Sequence, residues 1–574
     1  MGLFPVVSTA QGRVRGLDLD GVSVFRGLPF AAPPVGNNSF RAPQPPPTWG
    51  SKVRDAFLNR PQCPQLELLG NEDCLYLQLA VPKKCTVQSP CPVLVWIYGG
   101  AFIVGDDNEY GFYNPVELAR RHEVVVVAAN YRLGPLGFLA LPALQRESGG
   151  TVGNWAMLDQ RAGLQWVQRN IANFGGDQSA VTLAGESAGA MSVCWHLGAP
   201  ASRGLFHRAI LESGLCSFPG FFQPLKDALA FGEAQAAKAG CDSTKLGNDK
   251  AFLKCVRALP PHALGAGLRG HLSATTPSPW GEALRGKMPE VPPLFPVMDW
   301  GPAIDGSPFG LSATPLQLLR SGRGNYVPTI VGNNDDEGSL FVSTVPLIVS
   351  GTSFPPGPSD LRKLLEHVLG DAPWANATRQ HAVRIAAAVV ASYPSTDFPS
   401  EFWRIAAVLR DFLFACPARR LARSMDRHNA PTWRYRFAPD YCRKPDLEDA
   451  NWIDFQLLHC YHMSELYAVW GHAWPRIPAL RTFGPRMRRV SDTVQGYWGR
   501  FVHTGDPNLP ANVTASSASS SASALPWPRF RAADTFGGKE ANVVLAEEPA
   551  TEAGYLQDKC DFYDKLCDQT DCFA

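Results

Sequence analysis

The chain has 574 residues, of which 45% are hydrophobic and 18% are charged, and its formal net charge is +1. A chain of this length can bury a large core, and its near-neutral charge argues against binding to nucleic acid or to an anionic membrane surface. No apolar run is long enough to span a membrane, and the run from Val124 to Ala129 predicts a buried parallel strand instead.

The first candidate functional segment follows a predicted strand from Val93 to Ile97. This run leads directly into Tyr98-Gly99-Gly100-Ala101-Phe102. Small residues allow a backbone to approach a substrate oxygen to about 3 Å, so the amides of Gly100 and Ala101 are candidate oxyanion-hole donors. Taken alone, the segment fits a glycine turn that closes a strand equally well.

The second segment, Gly185-Glu186-Ser187-Ala188-Gly189, lies between the apolar run Ala180 to Ala184 and a helical stretch. A G-x-S-x-G sequence in this position is typical of a nucleophile elbow, which exposes the serine at a helix N-terminus. The amide of Ala188 would then be a third oxyanion donor. Taken alone, the pentapeptide is equally compatible with an ordinary Gly/Ser loop. We interpret Glu186 as a buried structural or electrostatic element beside the substrate pocket rather than a second general base.

With these motifs the chain resembles the type-B carboxylesterases, a family that includes carboxylesterases, cholinesterases and related lipases. Further matching stretches occur in the family's order: Glu72 to Leu77, Asn130 to Gly134, Gly153-Asn154 with Asp159-Gln160, and Phe174 to Asp177. The resemblance extends from about Gly12 to Cys560. It implies an α/β-hydrolase fold, in which helices flank a central, mostly parallel, twisted sheet and long insertions form a cap over the active site.

We predict one domain over residues 1–574, because the alternation of strands and helices continues without an interdomain linker. The cap-forming insertions implied by the resemblance would lie at about 218–301 and 341–430, where the sequence is helical and Pro-rich. The Ser/Ala-rich tract at 515–524 predicts an exposed loop.

The resemblance also implies an acid and a base that follow the serine in the order Ser, Glu, His. The strand-like run Pro328 to Gly332 ends in Asn333-Asn334-Asp335-Asp336-Glu337-Gly338, which resembles the family's acid loop and gives Glu337 the role of orienting the base. Asp335 and Asp336 are weaker candidates. Without the family, the three carboxylates would fit a solvated loop or a weak calcium site.

Two histidines, His459 and His462, are candidates for the base. Members of the family usually carry the His three residues before a Glu, and the match to Glu465 selects His462, although Met463 stands where the family usually has Gly. The His-x-x-His pair beside Cys460 could alternatively be read as a metal site, but no further ligands with zinc-type spacing follow. The predicted chemistry needs no metal and no other cofactor.

Fourteen cysteines without C-x-x-C spacing favour an oxidising compartment. The resemblance implies three disulfides, Cys63–Cys74, Cys241–Cys255 and Cys416–Cys560. Cys85 with Cys91 and Cys567 with Cys572 are close enough in sequence to pair, whereas Cys194 is predicted to be a buried free thiol. Acceptor sequons at Asn37, Asn376 and Asn512 are compatible with glycosylation and with secretion or a secretory-pathway lumen, although the start of the chain shows no apolar signal core.

The substrate can be narrowed in one respect. Cholinesterases carry a tryptophan between the cysteines of the first disulfide, and the corresponding loop, Pro64 to Asp73, contains no aromatic residue, which argues against a choline site. Trp300 falls where the family shapes its acyl pocket, and a place in the core is an equally good interpretation.

We therefore predict a serine esterase that cleaves small to medium uncharged carboxylic esters through an acyl-enzyme intermediate. Lipase-type activity is an alternative within the same chemistry. The alternatives outside it are a non-catalytic adhesion or binding module and a site used mainly for sequestration. The presence of Ser187, Glu337 and His462 together disfavours the binding module.

Overall fold

The structure is a computed structural model, and it describes most of the chain. The described residues are 4–65, 70–214, 216, 221–265, 300–343, 345–349, 351–370, 379–446, 452–473, 483–508, 525–532 and 539–568. The predicted loop at 515–524, the sequons at Asn376 and Asn512, and part of the first predicted insertion lie outside these ranges.

Most of the strands are short, and the central ones are apolar and buried on both faces. Their bounds are β1 Val6–Thr9, β2 Gly12–Arg15, β3 Leu17–Leu19, β4 Val22–Pro29, β5 Gly50–Asp55, β6 Tyr76–Pro82, β7 Cys91–Ile97, β8 Val125–Ala129, β9 Gly176–Glu186, β10 Arg208–Glu212, β11 Gln223–Pro224, β12 Ala303–Ile304, β13 Thr329–Asn334, β14 Thr432–Phe437, β15 Ala541–Leu545 and β16 Ala550–Ala553.

Helices alternate with these strands along the chain. Their bounds are α1 Pro115–His122, α2 Gly134–Phe138, α3 Pro142–Glu147, α4 Trp155–Asn170, α5 Ala188–Gly198, α6 Leu225–Lys238, α7 Ser243–Leu246, α8 Asp249–Ala258, α9 Pro315–Arg320, α10 Ser339–Val342, α11 Val345–Ile348, α12 Asp360–Gly370, α13 Arg379–Ser392, α14 Glu401–Arg410, α15 Cys416–Arg427, α16 Asp440–Arg443, α17 Trp452–Leu458, α18 Leu466–Trp470, α19 Pro485–Thr504 and α20 Gln557–Asp568. A π-helical turn, Asp411–Ala415, joins α14 to α15.

The main sheet has the strand order β16-β15-β14-β13-β10-β9-β7-β8-β6-β4-β3. The strands from β8 through β7, β9, β10, β13 and β14 to β15 run parallel to their neighbours, and antiparallel strands lie at both ends of the sheet. The predicted parallel strand at 124–129 is confirmed as β8. A mostly parallel sheet between helices confirms the predicted α/β class. Because the parallel strands point the same way, the loops that follow β7, β9, β10 and β13 lie at one edge of the sheet.

The core explains why these segments form a parallel sheet. Strand β9 is buried from Val181 to Glu186, and β13 is buried along its whole length, so neither strand shows the polar alternation of a half-exposed sheet. Helix α5 is buried at every residue, which places it inside the molecule directly behind the strand that precedes it. Among the described residues, no helix combines the length and apolar character needed to cross a bilayer.

The three implied disulfides, Cys63–Cys74, Cys241–Cys255 and Cys416–Cys560, are all present, and so is the close pair Cys85–Cys91. The prediction for Cys194 was wrong, because its sulfur is bonded to Cys216. Burial on α5 suggested a free thiol, and no motif indicated that the chain after β10 returns to that helix. A sixth bridge joins Cys442 to Cys460. The Cys567–Cys572 pair lies outside the described side chains.

The two predicted insertions differ in how much of them is described. In the first, α6, α7 and α8 are present and residues 266–299 lie outside the described ranges. The second, at 341–430, contains α11 to α15 and connects β13 to β14. The assignment of residues 1–574 to one domain and the cap role of the two insertions stay predictions. This second segment contributes side chains that pack against the candidate site.

Candidate active site

Ser187 lies at the turn between β9 and α5, where the sequence predicts an elbow. Its backbone has φ +55° and ψ −123°, a conformation that L residues with side chains rarely adopt. Its amide donates to the carbonyl of Glu212, at 2.9 Å, on the neighbouring strand β10. The surrounding sheet therefore holds the strained backbone in place, and the Ser187 side chain remains partly exposed.

The flanking glycines are required by close backbone contacts. A Cβ on Gly189 would lie 2.0 Å from the carbonyl oxygen of Ile97, and a Cβ on Gly185 would lie 2.6 Å from the carbonyl carbon of Gly189. Strand β7, strand β9 and helix α5 thus approach each other more closely than any side chain allows. The G-x-S-x-G pattern here has a structural reason at each glycine.

The three predicted residues Ser187, His462 and Glu337 form one hydrogen-bonded line. Nε2 of His462 lies 2.8 Å from the Ser187 hydroxyl, and Nδ1 lies 2.6 Å from Oε2 of Glu337. The other oxygen of Glu337 accepts the backbone amide of Asn334 at 2.7 Å. Glu337 is fully buried and His462 is 6% exposed, so the carboxylate can hold the imidazole with its Nδ1 protonated and Nε2 free to accept the serine proton.

The loop that carries His462 is tied to the loop that carries Glu337. The Asp336 amide donates to the carbonyl of Cys460 at 3.0 Å, and the Asn334 side chain donates to the carbonyl of Tyr461 at 2.9 Å. Met463, which follows the histidine, has φ +73°. Met463 therefore adopts the left-handed backbone conformation that glycine adopts most easily.

Two of the three predicted amide donors lie in the segment after β7, and the third directly follows Ser187 in sequence. Gly100 and Ala101 have φ of +96° and +53°, so the segment after β7 turns sharply, and a Cβ on neighbouring Gly99 would lie 3.0 Å from the Cβ of Ser187. Ala188 is the first residue of α5, where a helix has no carbonyl four residues back to accept its amide. Amides in this arrangement can stabilise a negative oxygen beside Ser187.

Comparison with known proteins decides the family. The carboxylesterase family matches residues 4–563. The chain belongs to the carboxylesterase family.

Relatives and solved structures agree with that assignment. The chain is 32% identical to para-nitrobenzyl esterase of Bacillus subtilis over 519 residues, which cover 88% of this chain and 91% of that protein. It is 34% identical to the Crystal protein of Dictyostelium discoideum over 443 residues, covering 75% and 71% of the two chains. The solved structure of a PNB esterase superposes with a TM-score of 0.72 at 29% identity, covering 98% and 99% of the chains, and confirms the α/β-hydrolase fold.

Glu186 gives this carboxylesterase-family site an additional buried carboxyl group. One of its oxygens lies 3.3 Å from Nε2 of His462, and the residue is 3% exposed. Burial raises the pKa of Glu186 to about 8, against the opposing attraction of His462. Burial alone would lower the pKa of His462, but the carboxylates of Glu186 and Glu337 outweigh it and raise that pKa to about 9. The two carboxyl groups therefore stabilise the imidazolium that forms when His462 takes a proton.

Two further buried carboxyl groups escaped the sequence analysis. Glu465, used there only to count to His462, accepts hydrogen bonds from the Ser213 hydroxyl at 3.0 Å and from the Asn334 side chain. Burial and the nearby Glu337 raise its pKa to about 7. Glu212 pairs in register with Glu186 and accepts the indole N–H of Trp498 at 2.7 Å. The signal that could have found Glu212 is its position at the end of the strand beside β9.

Two phenylalanines flank the histidine. The ring centroids of Phe341 and Phe414 lie 5.1 and 4.8 Å from that of His462. Phe341 belongs to α10, just after the acid loop, and Phe414 lies on the π-helical turn in the second predicted insertion. Such turns often occur at functional sites. The insertion thus supplies an apolar wall to the site, which sequence reasoning did not predict.

The remaining candidate residues make other contacts. Asp335 forms ion pairs with Arg436, at 2.8 Å, and with Arg443, and His459 stacks on Trp403 with centroids 4.1 Å apart. Cys460 is in a disulfide, and no group of three His, Cys, Asp or Glu within the described ranges could hold a metal ion. Trp300 is 3% exposed and packs on Phe231 at 4.9 Å, so its role in an acyl pocket stays a prediction.

Replacing Glu186 with glutamine is expected to lower kcat about tenfold without abolishing it, because one of two carboxylates that stabilise a charged His462 is lost. The same change should move the rising limb of the pH–rate profile to lower pH. The histidine must be neutral to accept a proton, and removing Glu186 lowers its pKa from about 9. Steady-state kinetics across the pH range would measure both effects. Complete loss of activity in a folded Glu186→Gln protein would contradict the interpretation.

Proposed function

We propose that this chain hydrolyses uncharged carboxylic esters, with Ser187 as the nucleophile, His462 as the general base and acid, and Glu337 as the residue that orients the imidazole. The observation that carries the proposal is the hydrogen-bonded line from the Ser187 hydroxyl through both nitrogens of His462 to Glu337. The carboxylesterase family and the esterase names of its relatives support the reaction class.

The first half-reaction is acyl transfer to the serine. The Ser187 hydroxyl passes its proton to Nε2 of His462 as its oxygen attacks the ester carbonyl. The amides of Gly100, Ala101 and Ala188 would hold the resulting oxyanion, and each such donor is typically worth about a hundredfold to a thousandfold in rate. His462 then gives the proton to the leaving alcohol, and the acyl-enzyme remains.

The second half-reaction repeats these roles with water. His462 takes a proton from the water that attacks the acyl carbonyl, and then returns that proton to the Ser187 oxygen as the bond to the acyl group breaks and the acid is released. Glu337 and Glu186 both face the imidazole and stabilise its charge during each transfer. His462 thus carries every proton that moves in the two half-reactions.

Purified protein and p-nitrophenyl acetate provide the test. We expect continuous release of p-nitrophenol. A folded protein that releases none would overturn the proposal and favour the alternative of a binding module.

The absence of an aromatic residue in the sequence from Pro64 to Asp73 bears on the alcohol part of the substrate. We expect acetylcholine to be hydrolysed with a kcat/KM no higher than that of the neutral isostere 3,3-dimethylbutyl acetate, since no cation–π partner is present in that loop. Titrating the acetic acid released from each ester gives both values. A clear preference for the choline ester would show that another part of the pocket binds the quaternary ammonium.

The location of the protein is proposed on the cysteines. Six disulfides occur among the described residues, and such bonds persist in oxidising compartments. We propose a secreted protein or one in the secretory-pathway lumen. The exposed Asn37, in the sequon Asn37-Asn38-Ser39, is a candidate glycosylation site.

A further inference from the structure

A cavity of about 220 Å³ lies on the protein surface beside α14, apart from Ser187, and neither Glu337 nor His462 lines it. Its apolar wall includes Phe398 and Trp403, and its polar wall is formed by Asp335, Asp336, Arg410, Arg443 and His459. This volume is that of several water molecules, so it can accommodate a small organic molecule rather than a lipid or a peptide.

In and next to the cavity, four carboxylates lie near three guanidinium groups. Asp335 forms ion pairs with Arg436 and Arg443, and Arg410 donates a hydrogen bond to Asp411 at 2.6 Å. Arg436 also donates to Glu552, at 3.1 and 3.0 Å. These contacts join the three guanidinium groups to three carboxylates other than Asp336, the fourth acidic residue of the set.

Asp336 is the least compensated of these carboxylates, because its one ion pair is long and is made with Arg443, which lies closer to Asp335. Its carboxylate accepts a long hydrogen bond of 3.4 Å from the amide of Cys460 and lies 3.6 Å from Arg443, whose side chain is 54% exposed. The Asp336 side chain itself is only 12% exposed. Burial and the neighbouring Asp335 raise the pKa of Asp336 to about 6, as expected of a carboxylate that is poorly compensated.

The other walls suit a cation with an apolar body. His459 stacks on Trp403 with ring planes 15° apart, and burial followed by repulsion from Arg443 lowers its pKa, so the imidazole is neutral and can accept a proton donor. Within the described residues no hydrogen bond to the His459 ring is present. Phe398, Trp403 and Ala407 supply aromatic and apolar surface, and an aromatic face attracts a cation.

We propose that this cavity binds a small organic monocation, a primary ammonium on an aromatic or apolar body, whose N–H groups donate to the Asp336 carboxylate and the His459 imidazole. The body of the ligand packs on Phe398 and Trp403. The site is next to the catalytic loops, since Asp336 precedes Glu337 in sequence and bonds to Cys460, two residues before His462. It is separate from the proposed esterase reaction and does not depend on it.

Isothermal titration calorimetry of the intact chain with benzylammonium, above the pKa of Asp336, tests the proposal. We expect one saturable site, with benzyl alcohol, the neutral analogue, binding at least about tenfold more weakly because it lacks the charge-assisted hydrogen bond. Asp336→Asn should weaken benzylammonium binding by a similar factor. Ala407→Phe, which fills the cavity without touching the charges, should also weaken it, and this variant keeps the test valid if Asp336→Asn does not fold.

Glu186→Gln is the matched control, because it removes a buried carboxyl group beside Ser187 rather than in the cavity. We expect this variant to bind benzylammonium as the parent does. Binding lost in Glu186→Gln but kept in Asp336→Asn would place the cation at the esterase site and overturn the proposal. So would equal affinity for benzyl alcohol, or no saturable binding at all. Calorimetry does not require turnover, so an inactive protein would leave this test intact.

Discussion

Ser187→Ala is expected to lower kcat for p-nitrophenyl acetate by about 10⁶-fold, the loss found when a triad serine is removed from a serine hydrolase. The physical reason is that no other hydroxyl in the described site bonds to Nε2 of His462. Alanine removes the nucleophile and leaves the amides of Gly100, Ala101 and Ala188 in place. Some catalysis above the rate in water can therefore remain.

The control for Ser187→Ala is its fold. Ser187 has φ +55°, and alanine tolerates this conformation no better and hardly worse than serine, so stability should change little. Circular dichroism and thermal unfolding of both proteins would establish this. A folded Ser187→Ala protein that retains more than a few per cent of the parent activity would contradict the assignment of the nucleophile.

His462→Ala is expected to lower kcat/KM by about 10⁴-fold or more, because the serine loses its general base and the leaving alcohol its acid. His459→Ala is the matched control, three residues earlier in the same loop. His459 contacts Trp403 rather than Ser187, so its loss should change kcat/KM by less than about tenfold, within the range of an indirect effect.

Steady-state kinetics of the two histidine variants, at a pH above the pKa of His462, decides between them. If His459→Ala were the inactive variant and His462→Ala the active one, the assignment of the base from the spacing to Glu465 would be wrong. If both were equally inactive while folded, the loop as a whole rather than one imidazole would be required. The hydrogen bonds from His462 to Ser187 and Glu337 predict neither outcome.

Much of the fold and of the site could be predicted because each piece has a local cause. The runs before Gly99 and Gly185 are apolar on both faces, which is characteristic of central parallel strands. The glycines stand where neighbouring segments of the chain lie too close together for a side chain to fit between them. The order of Ser187, Glu337 and His462 follows from the order in which the chain builds the sheet.

The remaining features depend on contacts between distant segments. Cys194 meets Cys216, and Cys442 meets Cys460, only because of how the loops return to the sheet. Glu212 comes next to Glu186 through the pairing of β10 with β9, and Phe414 reaches His462 from a turn that has no site motif of its own. Periodicity and spacing along the chain carry no information about these contacts between distant residues.

The single measurement that tests the central claim most directly is the site of covalent labelling by a fluorophosphonate, which traps a serine activated by a neighbouring base. Peptide mass spectrometry of the labelled protein should place one phosphonyl group on Ser187, with loss of p-nitrophenyl acetate hydrolysis in proportion to labelling. Labelling at a different residue, or full labelling of Ser187 with esterase activity unchanged, would contradict the account.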